Sequence, residues 1–156
     1  MHLSPNFTIT EFTRSQTAAR LGLDNTPPPS AILAMRLLCS ELLEPLRSRV
    51  GGPIVITSGF RSPALNVQIG GARNSQHSRG QAADFERPGI SNFDLAREIE
   101  ASGLPFDQLI LEAYVPGVPS SGWVHASYSQ GANRRQVLTA TPRRGGGMTY
   151  STGLRR

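Results

Sequence analysis

At 156 residues the chain fits one domain and is long enough to bury a core. All 16 basic residues are arginine and the formal net charge is +5, a balance that favours an anionic partner such as nucleic acid or an acidic wall polymer. The single cysteine, Cys39, excludes an intramolecular disulfide and a cysteine-built zinc site, and no apolar run approaches the length of a membrane span.

The basic residues are scattered, so a merely solvated basic surface explains the charge as well as an anionic partner does. The doublets Arg134-Arg135, Arg143-Arg144 and Arg155-Arg156 are all C-terminal. They lack the interleaved aromatics of a stacking platform, which counts against nucleic acid. The start, Met1-His2-Leu3-Ser4-Pro5-Asn6, has no basic stretch followed by an apolar one. No secretory signal is expected, and the protein is expected to be made in the cytoplasm.

Residues Thr8 to Leu21 read as a first helix, with Thr8 and Glu11 as a capping box and Phe12, Ala19 and Leu23 on its apolar side. Asn25-Thr26-Pro27-Pro28-Pro29 breaks it. From Ser30 to Val50, Ile32, Met35, Leu38, Leu42, Leu46 and Val50 recur at helical spacing; Pro45 should kink or split that helix. Ile54 to Ser58 is β-branched and reads as a buried strand. Gly59 to Pro63 is a turn, Ala64 to Ile69 one or two helical turns, and Gly70 to Arg79 a loop. Ala82 to Glu86 is the next strand. Ser91 caps a helix to Ser102 that buries Leu95, Ala96 and Ile99. Strands follow at Gln108 to Glu112, Trp123 to Ser127 and Gln136 to Ala140, with Ala113 to Ser121 as a loop between the first two. Residues 1–141 form the expected domain, and from Pro142 onward a Gly, Arg and Thr-rich tail is weakly specified. Helices first and mixed strands afterwards make the fold class α+β.

The stretch Ser75-Gln76-His77-Ser78-Arg79-Gly80-Gln81-Ala82-Ala83-Asp84 carries one of three histidines and one of four aspartates. His77 in the loop and Asp84 on the strand can approach each other if Gly80 takes the turn between them. Alternation places Trp123, His125 and Ser127 on one strand face. Two imidazoles and a carboxylate suit a catalytic zinc, which takes three protein ligands and keeps a position open for water. On spacing alone, an ordinary half-buried histidine and a turn-forming aspartate remain the commoner explanation.

The pattern Ser75-x-His77-x-x-Gly80-x-Ala82-x-Asp84 followed by Trp123-Val124-His125 resembles the zinc D-Ala-D-Ala carboxypeptidase family of peptidoglycan peptidases. That family includes vancomycin-resistance D-Ala-D-Ala dipeptidases and many phage endolysins, and it shares its fold with lysostaphin-type peptidases and the hedgehog signalling domain. The likeness extends to Thr57-Ser58-Gly59-Phe60-Arg61-Ser62 and to Phe7-Thr8-x-x-Glu11-Phe12, so it covers roughly residues 4 to 140. It implies N-terminal helices on a small, mainly antiparallel sheet, and Zn2+ held by His77, Asp84 and His125.

A peptidase needs a group to take the proton of the attacking water. In similar enzymes a carboxylate lies a few residues before the last histidine, but Ser120 to Val124 contains none. The nearest upstream is Glu112, with Ala113 to Ser121 read as an insertion that keeps it by the metal and forms part of the substrate pocket; a surface salt bridge is the alternative for Glu112, and Asp107 the less favoured base. The family likeness also gives Arg61 a role in binding substrate and stabilising the oxyanion, against a structural role in bonding loop carbonyls. Ser75 is assigned to orienting His77 or binding substrate, Trp123 to the core, and His2 to nothing.

The expected function is therefore zinc-dependent hydrolysis of an amide bond in peptidoglycan stem peptides. The bond is that of a D-Ala-D-Ala carboxypeptidase, an L-Ala-D-Glu endopeptidase or a cross-link endopeptidase. A monomeric phage or prophage lysin with holin-type release, or a small bacterial wall hydrolase, fits the expected lack of a signal. The rivals are a wall-binding module that holds zinc without turnover and a basic nucleic-acid binder, whose affinity would fall steeply with salt.

Overall fold

The computed structural model describes residues 1–156. Six strands form one sheet in the order β3-β4-β6-β5-β7-β8. These are β3 (Val55–Ser58), β4 (Ala82–Glu86), β5 (Gln108–Glu112), β6 (Trp123–Ser127), β7 (Gln136–Pro142) and β8 (Met148–Thr152). Every pairing is antiparallel except β5 with β7, so the expected α+β class with a mainly antiparallel sheet holds. Strands β4, β5 and β6 carry the predicted boundaries because each is a short apolar run closed by turn residues. No helix is long and apolar enough to cross a membrane.

The N-terminal segment departs from the expected single helix. His2–Ser4 (β1) and Phe7–Thr8 (β2) form a small hairpin. A short helix α1 (Ile9–Thr13) follows, then α2 (Gln16–Leu21). The capping box at Thr8 and Glu11 is present, with the Thr8 N–H donating to the Glu11 carboxylate at 2.7 Å. Arg14 is extended, and the Ser15 hydroxyl accepts from the Ala18 N–H. A serine that can cap thus starts a new helix. The restart rotates the face, so Ala18 is buried where Ala19 was expected.

The apolar stripe from Ile32 to Val50 forms α3 (Pro29–Leu38), a π-helical turn (Cys39–Leu43) and α4 (Glu44–Val50). Met35, Leu38, Leu42 and Leu46 are fully buried, with Ile32 and Val50 packed at the margin. The Glu44 N–H reaches back five residues to the Cys39 carbonyl. That wider turn lies just where the Pro45 ring would strike the carbonyl four residues earlier. The proline is accommodated by a π-turn inside a run that stays helical throughout.

Alternation along the strands divides the sheet into two faces. A short helix, α5 (Pro63–Gln68), follows β3. Ile56, Ala83, Phe85, Leu109, Leu111, Val124 and Ala126 meet α3, α4 and α6 (Asn92–Ala101) in the core. Leu95, Ala96 and Ile99 of α6 are buried there, and the Ser91 hydroxyl caps the helix through the Asp94 N–H. The opposite face carries Asp84, His125, Ile110 and Glu112. The strand expected to be buried, β3, lies at the sheet edge with Val55 and Thr57 exposed; only one of its faces meets the core. The tail expected to be weakly specified supplies β8, in register with β7 from Leu138↔Thr152 to Pro142↔Met148.

Gly80 ends a 3-10 turn (Gln76–Arg79) at φ 73°, and a methyl there would collide with the Ala31 carbonyl of α3. Gly103 has almost the same φ, 74°, with open space around it. Left-handed strain alone costs about 1–2 kcal/mol for an ordinary residue. Gly80→Ala is expected to lower unfolding free energy by about 1–2 kcal/mol more than Gly103→Ala, measured from urea midpoints at constant m-value.

Candidate metal centre

Three strands and one turn build the site. Asp84 on β4 lies directly opposite His125 on β6, and His125 lies opposite Ile110 on β5. Neighbours in register share a face, so Asp84 and His125 point to the same side. Glu112 is two residues beyond Ile110 and pairs with Trp123, which puts its carboxylate on that face too. His77 comes from the 3-10 turn. The Ser75 hydroxyl accepts the His77 backbone N–H, and the Arg61 N–H donates to the His77 carbonyl.

The His77 Nδ1–H donates to the Gly59 carbonyl at 2.7 Å. A carbonyl only accepts, so this bond places the proton on Nδ1 and turns Nε2 inward. Gly59 must be glycine for this contact, because a methyl would strike the Phe12 backbone and ring. Phe60 is stitched to the same place by its N–H on the Phe12 carbonyl.

His77 Nε2, His125 Nδ1 and Asp84 Oδ1 form a triangle with sides of 3.3, 3.0 and 3.4 Å. Ligand atoms around a tetrahedral ion with bonds of about 2.0–2.1 Å lie about 3.3 Å apart. The triangle therefore has the dimensions of one face of such a site. All three residues are buried. An imidazole with its second nitrogen bonded to a carbonyl is the usual outer support of a ligating histidine. The donor set and its spacing fit a small divalent ion.

Burial opposes ionisation of Asp84, but His77 and His125 outweigh it and hold the carboxyl well below the usual range. Arg61 Nη2 lies 3.4 Å from Asp84 Oδ2, and Arg61 Nε is buried without a partner. The guanidinium is thus held at the cleft, bonding a carboxylate rather than loop carbonyls. Glu112 Oε1 is 4.0 Å from His125 Nδ1. Burial, with Asp84 second, pushes its carboxyl up to about 7, although His125, Arg61 and Trp123 pull the other way.

These groups line an open cleft of about 740 Å³ in which polar side chains such as Ser75, Gln76, Arg79 and Gln108 predominate. Trp123, expected in the core, is half-buried and lines the cleft opposite Glu112. It occupies the open face because it alternates with Val124. The loop from Ala113 to Ser121, expected in the pocket, lines none of it. It folds instead onto the start of α6, where the Asn92 amide donates to the Ser121 and Gly122 carbonyls and Tyr114 packs on Phe93.

Asp107 also lines the cleft, but both carboxylate oxygens are engaged. They accept from Arg134 Nε and Nη2, the Arg134 N–H and Gln76 Nε2. Arg134 is the first cause of its pKa falling to about 2. Asp107 is a brace between the His77 turn and the loop before β7. Sequence reasoning missed that brace, and also Tyr150, which lines the cleft from β8; neither has a local motif to mark it.

A family model described as Peptidase M15 matches residues 5–115 of the chain. The chain belongs to the peptidase M15 family. Within this M15 chain the match includes Arg61, Ser75, His77, Asp84 and Glu112, whereas His125 and strands β6 to β8 lie beyond it. A 44-residue stretch is 46% identical to a zinc D-Ala-D-Ala carboxypeptidase from Streptomyces albus G. That stretch is 28% of this chain and spans only 17% of the relative's length.

The raised Glu112 pKa gives a signed expectation for the metal-free M15 domain. The unfolded carboxyl titrates near 4.3 and the folded one near 7, so between these values the folded state binds more protons and stability falls as pH rises. Glu112→Gln should leave stability at pH 4 little changed and raise it by about 3–4 kcal/mol at pH 8. Denaturant unfolding of the chelated protein at both pH values measures this difference.

Proposed function

We propose that this M15 chain is a zinc-dependent peptidase that hydrolyses an amide bond in peptidoglycan stem peptides. The observation that carries the reading is the tetrahedron-sized triangle of His77, Asp84 and His125, with the Glu112 carboxyl group 4.0 Å from its His125 corner. The relative's name supports zinc as the ion and D-Ala-D-Ala as the bond. The open polar cleft suits a peptide chain rather than a lipid.

Bound at the triangle, zinc would supply Lewis acidity to water and the scissile carbonyl. Glu112 would take the proton of the attacking water and return it to the leaving amine. Arg61, held beside Asp84, would present its remaining N–H groups to a peptide carboxylate or to the developing oxyanion. Ser75 accepts from the His77 N–H and keeps its own hydroxyl proton for the substrate. A phage or prophage lysin, reaching the wall through a holin-type release, is the biological setting this reading favours.

The test is a digest of purified peptidoglycan with zinc-loaded protein against a chelated control, read by mass spectrometry. Release of stem-peptide fragments only with zinc is expected, and the fragment masses name the bond. Glu112→Ala should lower the rate by about 10²–10⁴-fold while zinc content stays at one ion per chain. Intact peptidoglycan with zinc shown to be bound would replace this reading with a non-catalytic wall-binding module.

In a separate measurement, His125→Ala should weaken zinc binding by at least about a hundredfold in competition with a chromogenic chelator. Unchanged affinity would remove His125 from the ligand set.

A further inference from the structure

The cleft face of the sheet continues past Glu112. Glu112 on β5 pairs with Ala140 on β7, and Ala140 pairs with Tyr150 on β8. Trp123, Glu112, Ala140 and Tyr150 therefore form one row across four strands, all facing the same way. Neighbouring strands lie about 4.8 Å apart, so Tyr150 stands two spacings from Glu112. Ala140, which is buried, is the residue between them in that row. Tyr150 lines the same cleft as the metal cluster, yet it is 56% exposed. An exposed phenol on a cleft wall offers a donor that the fold itself does not need.

The strand that carries this phenol is firmly attached. The Thr139 hydroxyl donates to the Gly153 carbonyl at 2.7 Å and accepts the Arg155 N–H at 2.9 Å. The Arg156 guanidinium lies 4.5 Å from the centre of the Phe93 ring, and Leu154 packs against the core. Tyr150 thus projects from a fixed wall. Burial first, and the Glu112 charge second, raise its pKa above the ordinary phenol value, so at neutral pH the hydroxyl keeps its proton and can donate.

Arg61 borders the metal cluster on the β4 side through Asp84. Tyr150 borders it on the opposite side, beyond Glu112. A peptide crossing the strands would pass both. We propose that Tyr150 is a substrate-binding residue whose hydroxyl donates to a carbonyl or carboxylate oxygen of the bound peptide, on the side of the scissile bond away from Arg61. This rests on the peptidase reading above and adds a second anchor to it.

The test compares the full-length zinc-loaded wild type with Tyr150→Phe, which keeps the ring and loses only the hydroxyl. The probe is a synthetic stem pentapeptide ending in D-Ala-D-Ala, followed both by cleavage rates and by calorimetric binding to the Glu112→Ala background. Loss of one such hydrogen bond should raise KM and Kd by about five- to tenfold, with kcat within twofold and thermal midpoint and zinc content unchanged. KM and Kd within twofold of wild type would overturn the proposal, as would a loss confined to kcat. If the wild type binds the pentapeptide without cleaving it, the peptidase reading fails alone, and the Kd ratio still decides Tyr150. If it neither binds nor cleaves, both fall.

Discussion

Three atoms with lone pairs converge where water is nearly excluded, and the site depends on that convergence. His77 Nε2, His125 Nδ1 and Asp84 Oδ1 lie 3.0–3.4 Å from one another. Because the His77 Nδ1–H donates to the Gly59 carbonyl, the ring is held with Nε2 toward the other two atoms. Buried acceptors this close repel unless a proton or a cation sits among them. The scaffold must hold that geometry against the repulsion, and a divalent ion relieves it.

The scaffold does so with backbone rather than side-chain packing alone. Asp84 and His125 are cross-strand neighbours, so the sheet ladder sets their spacing. His77 arrives from outside the sheet and is fixed at three points: the Ser75 hydroxyl, the Arg61 N–H and the Gly59 carbonyl. Two glycines make that approach possible. Gly59 lets the exit of β3 lie against Phe12, and Gly80 lets the turn lie against Ala31. Asp107 then ties the same turn to the loop before β7 through Gln76 and Arg134. The core face, filled by α3, α4 and α6, leaves the other face free for chemistry.

Much of this was legible locally. The strands around Asp84, Glu112 and His125 are short apolar runs with clear turn punctuation, and their boundaries follow from that. The stripe from Ile32 to Val50 announces its helix. The first helix was misread because its restart depends on Ser15 capping, a choice that competes with simple continuation. Strand β8 was missed because Met148-Thr149-Tyr150-Ser151-Thr152 carries little apolar pattern; it forms because β7 presents an unpaired edge and Leu154 and Arg156 anchor the end. The fate of the loop from Ala113 to Ser121 rested on Asn92, far away in sequence.

The sequence by itself determined the α+β class and the strands that carry Asp84, Glu112 and His125, and its motifs, through their resemblance to a peptidase family, implied the donor set. The class and the strands follow from residue type, alternation and spacing, which are properties of a few consecutive positions. Only the tertiary structure decided that the donors form a triangle of the right size, that Asp107 is consumed as a brace, and that Tyr150 reaches the cleft. Each of these depends on strand order and register, which bring together residues that the chain keeps tens of positions apart.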